Sequence, residues 1–195
     1  MRALRLALCS ALGSTILPLC AVAQPLQNST PHLTREGWGF SCSGSREQLQ
    51  KYEPDGTSPD AACGQIGPLW LGMSRADVEK TLGSPTTEKS LGSSILYVYS
   101  LQTDEAAHMI TYAVIGYDSR QRVGNIQLTG VPWSGAWTFA DIKLGDPGKA
   151  VISRLGNPHQ VAPSLQEGTL VWEYLPWTFS FEIRGSNVFS IRVSE

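Results

Sequence analysis

The sequence predicts an α+β fold of two tandem repeats, each a helical segment packed on a three- to four-stranded antiparallel sheet. Three observations predict it. First, a string recurs: Leu71-Gly72, Val78, Leu82-Gly83 and Pro85 return as Leu144-Gly145, Val151, Leu155-Gly156 and Pro158 at a constant offset of 73 residues. A gapless offset of this kind marks an internal duplication. Second, each copy carries helix start and stop signals around an apolar stripe. Third, each copy is followed by β-branched and aromatic runs with short returns, which imply antiparallel pairing.

In chain order, residues 1–23 read as a signal peptide. Arg2 and Arg5 form a basic start, Leu6 to Leu19 is mostly apolar, and Ala21-Val22-Ala23 is a cleavage site, so the mature chain begins at Gln24. The apolar run is short of the roughly 20 residues a membrane span needs. Cys20 is preceded by Leu17-Pro18-Leu19, a poor setting for lipidation, so no lipid anchor is expected. Loss of Arg2 and Arg5 takes the net charge from −2 to −4. A mildly acidic chain without a basic run argues against nucleic acid as a partner.

Residues 24–65 form a loop-rich leader. Gln24 to Thr34 is polar, Arg35 to Phe40 makes a short extended piece, Ser45 to Tyr52 makes a turn or two of helix, and Glu53-Pro54-Asp55-Gly56 is a turn. Cys42 and Cys63 are the cysteines left after cleavage, and in an oxidising compartment they are expected to form a disulfide. Zinc is the rival reading, but His32, His108 and His159 are scattered and none stands at ligand spacing.

The first αβ repeat covers 66–131. Ser74 is the expected N-cap with Asp77 three residues on, Val78 and Leu82 form the buried stripe, and Gly83 with Pro85 ends the helix. Strands follow at 95–99, 109–115 and 123–128. Residues 132–139 link the units and hold Trp133 and Trp137, which either plug the seam or anchor an interface. The second repeat covers 140–195. Asp146 is the expected cap and Pro147 the first helical residue, with strands at 170–174, 178–184 and 188–193. Alternation puts Trp177, Phe179, Phe181 and Ile183 on the face under the helix. The opposite, polar face carries Ser180, Glu182, Arg184, Arg192 and Glu173, and an uncovered antiparallel face makes a broad binding platform.

These motifs resemble a known family. Leu71-Gly72-Met73-Ser74, Val78 and Leu82-Gly83-Ser84-Pro85 are similar to the signature of the SmpA/OmlA (BamE-like) domain, and Tyr97-Val98-Tyr99 and Trp172-Glu173-Tyr174 resemble its strand after the helix. Two such units in tandem resemble the β-lactamase inhibitor protein fold. The resemblance covers about 66–195 and implies a non-catalytic protein-binding module. The departures are a poor lipidation site and two cysteines that both precede the first repeat, so no inhibitor contact residue is carried over.

No catalytic motif is complete. Gly39 to Ser43 fails the nucleophile elbow at its last position, Lys143 stands where a phosphate loop needs glycine, and His108 beside Asp104 and Glu105 lacks a nucleophile or ligand set. The expectation is therefore no enzyme, no cofactor and no metal. It is a periplasmic or secreted module, of inhibitor, immunity or scaffold type, that binds another periplasmic or envelope protein. The alternative is an outer-membrane-associated assembly or envelope-integrity factor. The candidate partner-binding residues are Trp133, Trp137, Glu173, Ser180, Glu182, Arg184 and Arg192.

Overall fold

The computed structural model describes residues 32–36, 39–43, 63–92, 94–104, 109–135 and 137–195. The signal peptide, Trp38, the helix expected at 45–52, the turns after it, and Glu105 with His108 lie outside the described residues.

Among the described residues the chain is mostly β, with 52% strand and two helices of eight residues each. Strands β1 (His32–Glu36) and β2 (Gly39–Ser43) form a hairpin, and β3 (Gln65–Ile66) and β4 (Leu69–Trp70) form a very short one. Helix α1 (Arg75–Leu82) is followed by β5 (Thr87–Leu91), β6 (Ser94–Asp104), β7 (Met109–Tyr117) and β8 (Val123–Thr129). Helix α2 (Gly148–Leu155) is followed by β9 (Gln160–Pro163), β10 (Thr169–Tyr174), β11 (Phe179–Arg184) and β12 (Asn187–Ser194).

All eight strands from β5 to β12 join one antiparallel sheet in the order β5-β6-β7-β8-β12-β11-β10-β9. This corrects the expected α+β architecture of a helical segment on a separate three- to four-stranded sheet in each of two repeats. The reason lies in β8 and β12. Each ends its meander with an apolar inner side, Ile126 and Leu128 on one and Ile191 and Val193 on the other. Left as edges, both would present unpaired backbone groups. Instead they pair with each other, Gln127 opposite Arg192, and all four apolar residues are buried.

The outer strands explain a second difference. Neither β5 nor β9 is expected from the sequence. Thr87–Leu91 reads TEKSL and is exposed along its whole length, and β9 ends in Pro163. Polar and proline-bearing segments are tolerated at a sheet edge, where one side needs no ladder partner. A residue-pattern argument that looks for apolar alternation passes over them.

Both helices lie on one side of the sheet. Ser74 caps α1 as expected: its hydroxyl accepts from the Asp77 N–H at 3.2 Å and donates to Asp77 Oδ2 at 2.6 Å. The expected cap on α2 is not formed. Pro147 occupies the cap position without a side-chain bond, and Asp146 Oδ2 instead accepts from the Lys143 N–H at 3.0 Å. Asp146 sits one residue too early to reach the first turn, so its carboxylate closes the preceding loop. Gly83 and Gly156 end the two helices at the same φ of 79°, each donating its N–H back into the last turn. Val78 on α1 and Val151 and Leu155 on α2 are buried against the inner face of the sheet, in a single core with Ile115, Ile126, Phe181 and Ile191.

One bulge keeps the second half in phase. Across β11 and β12 the register shifts at Glu182/Ile183, which leaves Phe189 without an opposite residue. Val188 before it, and Ile191 and Val193 after it, therefore all reach the core. A strict two-residue alternation would send one set outward.

Gly130 follows β8 at φ +135°, and a Cβ there would lie 2.3 Å from the Ile110 carbonyl oxygen and 2.7 Å from Thr111 Cα. Both contacts are backbone and cannot rotate away. Gly130→Ala is expected to cost about 2 kcal/mol or more, from a conformation L residues rarely adopt plus overpacking. Urea denaturation of the variant checks this; an unchanged midpoint would contradict the account of the β7–β8 end.

Candidate functional site

The register carries single rows of residues across the whole sheet, and these rows sort its two faces. One row runs Tyr97, Ile115, Ile126, Val193, Phe179 and Tyr174, every member buried. Its neighbour along the strands runs Val98, Val114, Gln127, Arg192, Ser180 and Glu173, none of them buried. Since alternate residues on a strand point to opposite faces, the first row lies under the helices and the second lies on the other side. Among the described residues no helix covers that second side.

The open face has two halves of different chemistry. On β6 and β7 it presents Leu96, Val98, Tyr112 and Val114, all half-buried by their neighbours, with Ile110 48% exposed at the end of the patch. On β10, β11 and β12 it presents Glu173, Ser180, Glu182, Arg184 and Arg192. The structure thus brings together five of the seven predicted partner-binding residues. Trp133 and Trp137 are not among them. They pack edge to face at 5.7 Å, and Trp137 lies across Gly67 in the β3–β4 turn, beside the buried Ile66 and Leu69. That places the tryptophan pair with the core side of the sheet.

Hydrogen bonds hold the polar half. At the seam, the Thr129 and Ser190 hydroxyls bond at 2.8 Å, and Gln127 Nε2 donates to both. Arg192 Nε donates to Asn125 Oδ1 at 2.9 Å, tying β12 to β8. Arg184 stacks over the bulged Phe189 ring at 3.5 Å and donates to Thr169 and Gln166. Ser164 donates to Glu182 Oε1 at 2.7 Å, while Glu182 Oε2 is enclosed without a protein donor. Glu182, Arg184 and Arg192 are therefore held in place before any partner arrives, which lowers the ordering cost of binding.

On the covered side, Arg75 fastens α1 to the sheet. Its guanidinium lies 4.4 Å over the Tyr97 ring, donates to the Tyr97 hydroxyl at 3.0 Å and to Glu79 Oε1 at 2.8 Å. Tyr99 and Tyr117 share a hydroxyl contact at 3.4 Å, and burial pushes both phenols up from their ordinary range. Across the sheet, Tyr174 donates to the Gly156 carbonyl at 2.9 Å and is pushed up to about 12 by burial.

A phenol raised in the folded state contributes stability that is complete below its unfolded value of 10.0 and lost as pH rises through the folded value. Melting temperature should therefore hold level to about pH 9 and fall between about pH 10 and 12. Tyr174→Phe should make that alkaline fall shallower, with Tyr99 and Tyr117 supplying what remains. An alkaline limb identical in variant and parent would contradict this assignment. Among the described residues no three His, Cys, Asp or Glu side chains gather to hold a metal ion.

Sequence reasoning missed the apolar half of the face. Residues 95–99 are apolar or aromatic throughout, so alternation gives no way to sort them. Yet an antiparallel strand that is apolar on both faces, in a sheet with one side uncovered, must expose one apolar set. That was the available signal.

Residues 65–127 match the family model of the outer membrane protein assembly factor BamE domain. The matched segment runs from β3 through most of β8 and includes α1 and the apolar half of the open face. No curated protein matches the chain. Three solved structures are similar at low identity. The DUF4309 family protein YjgB from Bacillus subtilis subsp. subtilis str. 168 is 12% identical with a TM-score of 0.41, covering 62% of this chain and 77% of its own. An extracellular protein containing a SCP domain from Bacillus anthracis str. Ames is 10% identical with a TM-score of 0.45, over 64% of this chain and 44% of its own. A candidate beta-lactamase inhibitor protein from Streptococcus mutans is 14% identical with a TM-score of 0.24, over 62% and 81%. These likenesses are too distant to carry a function.

The Cys42–Cys63 disulfide is formed, joining β2 to a position two residues before β3. Among the described residues no helix is long and apolar enough to cross a membrane.

Proposed function

We propose that this chain is a non-catalytic protein-binding module of the cell envelope, which docks another envelope or periplasmic protein on the open face of its sheet. The single observation that carries the reading is the row Val98, Val114, Gln127, Arg192, Ser180 and Glu173, which no helix among the described residues covers and which runs from an apolar half to a charged half. A protein surface with an apolar ridge beside a mixed-charge rim is the complement of such a face. The disulfide fits an oxidising compartment, and the signal-peptide reading of 1–23 agrees with it.

The BamE-domain match at 65–127 favours one further reading, an outer-membrane-associated assembly or envelope-integrity factor. Both readings place the chain in the envelope and differ in the partner. The proposal of a duplicated unit rests on α1 and α2, whose bounds stand 73 residues apart at both ends and whose terminal glycines share φ 79°.

The mature chain, immobilised through its C-terminus and exposed to extract of its own envelope, should retain a protein partner in fixed proportion. A folded bait that repeatedly retains none would count against a binding function. Mass of the mature chain separates the two readings: an acylated N-terminus supports the membrane-associated one, and an unmodified Gln24 supports the free periplasmic one.

A further inference from the structure

The β1–β2 hairpin forms its own two-stranded sheet and adds no strand to the eight-stranded one. Its register places Leu33 opposite Cys42 and Arg35 opposite Phe40. These four side chains therefore share one face of the hairpin, and all four engage the body. Leu33 and Phe40 are buried in the common core. Phe40 stands edge-on to Tyr174, Trp177 and Phe179, with ring centres at 6.1, 6.1 and 5.3 Å. Arg35 Nη1 donates to the Leu155 carbonyl at 2.9 Å, and its guanidinium fills the space where a Cβ on Gly156 would stand. The helix C-terminus offers carbonyls that favour a cation. Cys42 is bonded to Cys63.

The hairpin thus reaches from Cys63, just before β3, to α2, β10 and β11 in the other half of the sheet. Beneath it Tyr174, Trp177 and Phe179 receive the Phe40 ring, and the end of α2 receives Arg35. We propose that the hairpin is a detachable clasp on this part of the body, locked by the Cys42–Cys63 disulfide and released when a dithiol reduces it.

The chemistry is thiol–disulfide exchange. A thiolate of the dithiol attacks one sulfur of the Cys42–Cys63 bond and forms a mixed disulfide, and the second thiol of the dithiol then displaces the remaining cysteine. The dithiol is oxidised to a disulfide, and Cys42 and Cys63 each leave as a thiol, taking up the two electrons and two protons. Afterwards, among the described contacts, the hairpin keeps those of Leu33, Arg35 and Phe40. An isolated two-stranded hairpin is marginal in water, and the chain between Cys42 and Cys63, 21 residues apart in sequence, is long enough to let it swing away. The body keeps its own ladder, because no strand of the large sheet pairs with β1 or β2.

The test is hydrogen exchange on the mature chain, oxidised and then treated with dithiothreitol. Amides of β1 and β2 should exchange about a hundredfold faster after reduction, the loop-closure effect of a bridge of this span, while β8 and β12 stay protected. Trypsin should then cut after Arg35 in reduced protein alone. The double substitution Cys42→Ser and Cys63→Ser should show the open behaviour without reductant and no response to it. Two results would overturn the clasp. In one, β1 and β2 keep full protection both after reduction and in the double variant. In the other, β8 and β12 lose protection together with the hairpin, which makes the bridge a global staple.

Discussion

Replacing Phe181 with alanine should cost about 3–5 kcal/mol, the range for removing a large aromatic from a closed core. Phe181 is 0% exposed at the centre of β11. Its ring lies about six ångströms from those of Phe139, Tyr174 and Phe179, at 6.1, 6.0 and 6.2 Å. Phe139 comes from the connection before α2 and Tyr174 from β10, so the cavity would open where three segments meet. Aromatic rings held edge to face cannot slide into the gap without losing their own contacts. Domains of this kind have about 5–15 kcal/mol in total, so a loss of this size removes a large part of it. Urea denaturation should show a lower midpoint at an unchanged slope. A loss under about 1 kcal/mol would mean that the helix side of β11 is not the packed side.

Val114→Arg should leave the fold intact and weaken partner binding at least about a hundredfold. Val114 is half-buried on the open face, between Val98 and Gln127 in the central row. In the free protein an arginine there lays its stem across Tyr112 and keeps its guanidinium in water. In a complex the same group would be desolvated against an apolar partner surface without a counter-charge, a penalty of several kcal/mol. Ile152→Arg is the matched control, because Ile152 is 39% exposed on α2, on the covered side of the sheet. Titration of the purified partner into both variants separates the faces. Equal affinity for Val114→Arg and the parent chain would remove the open face from the function.

What the sequence makes legible follows from where apolar residues alternate with polar ones. The stripe Val78 and Leu82, the Ser74 cap and the stops at Gly83 and Gly156 mark α1 and α2 directly, because capping and periodicity are local. Phe179, Phe181 and Ile183 against Ser180, Glu182 and Arg184 mark the two faces of β11 for the same reason. The disulfide follows from compartment and count. The union of β8 with β12 is not legible, since it joins residues 65 apart in sequence at Gln127 and Arg192 through backbone bonds that any side chain permits. The edge strands escape because Thr87–Leu91 and Gln160–Pro163 need no apolar side when one flank meets water. The polar half of the candidate site was found by alternation, whereas Leu96, Val98, Tyr112 and Val114 were hidden in runs apolar on both sides. Asp146 misled because a capping residue type one position early serves the loop before the helix.

The most direct test of an open-face binding module is site-specific photocrosslinking in the native envelope. A photoreactive phenylalanine analogue is placed in turn at Tyr112, Val114, Ser180 and Glu173 on the open face, and at Ile152 and Lys149 on the covered side. The account predicts one crosslinked product of a single mass from the open-face positions and none from the two on α2. The same product from Ile152 and Lys149, with none from Val114 and Ser180, would contradict it.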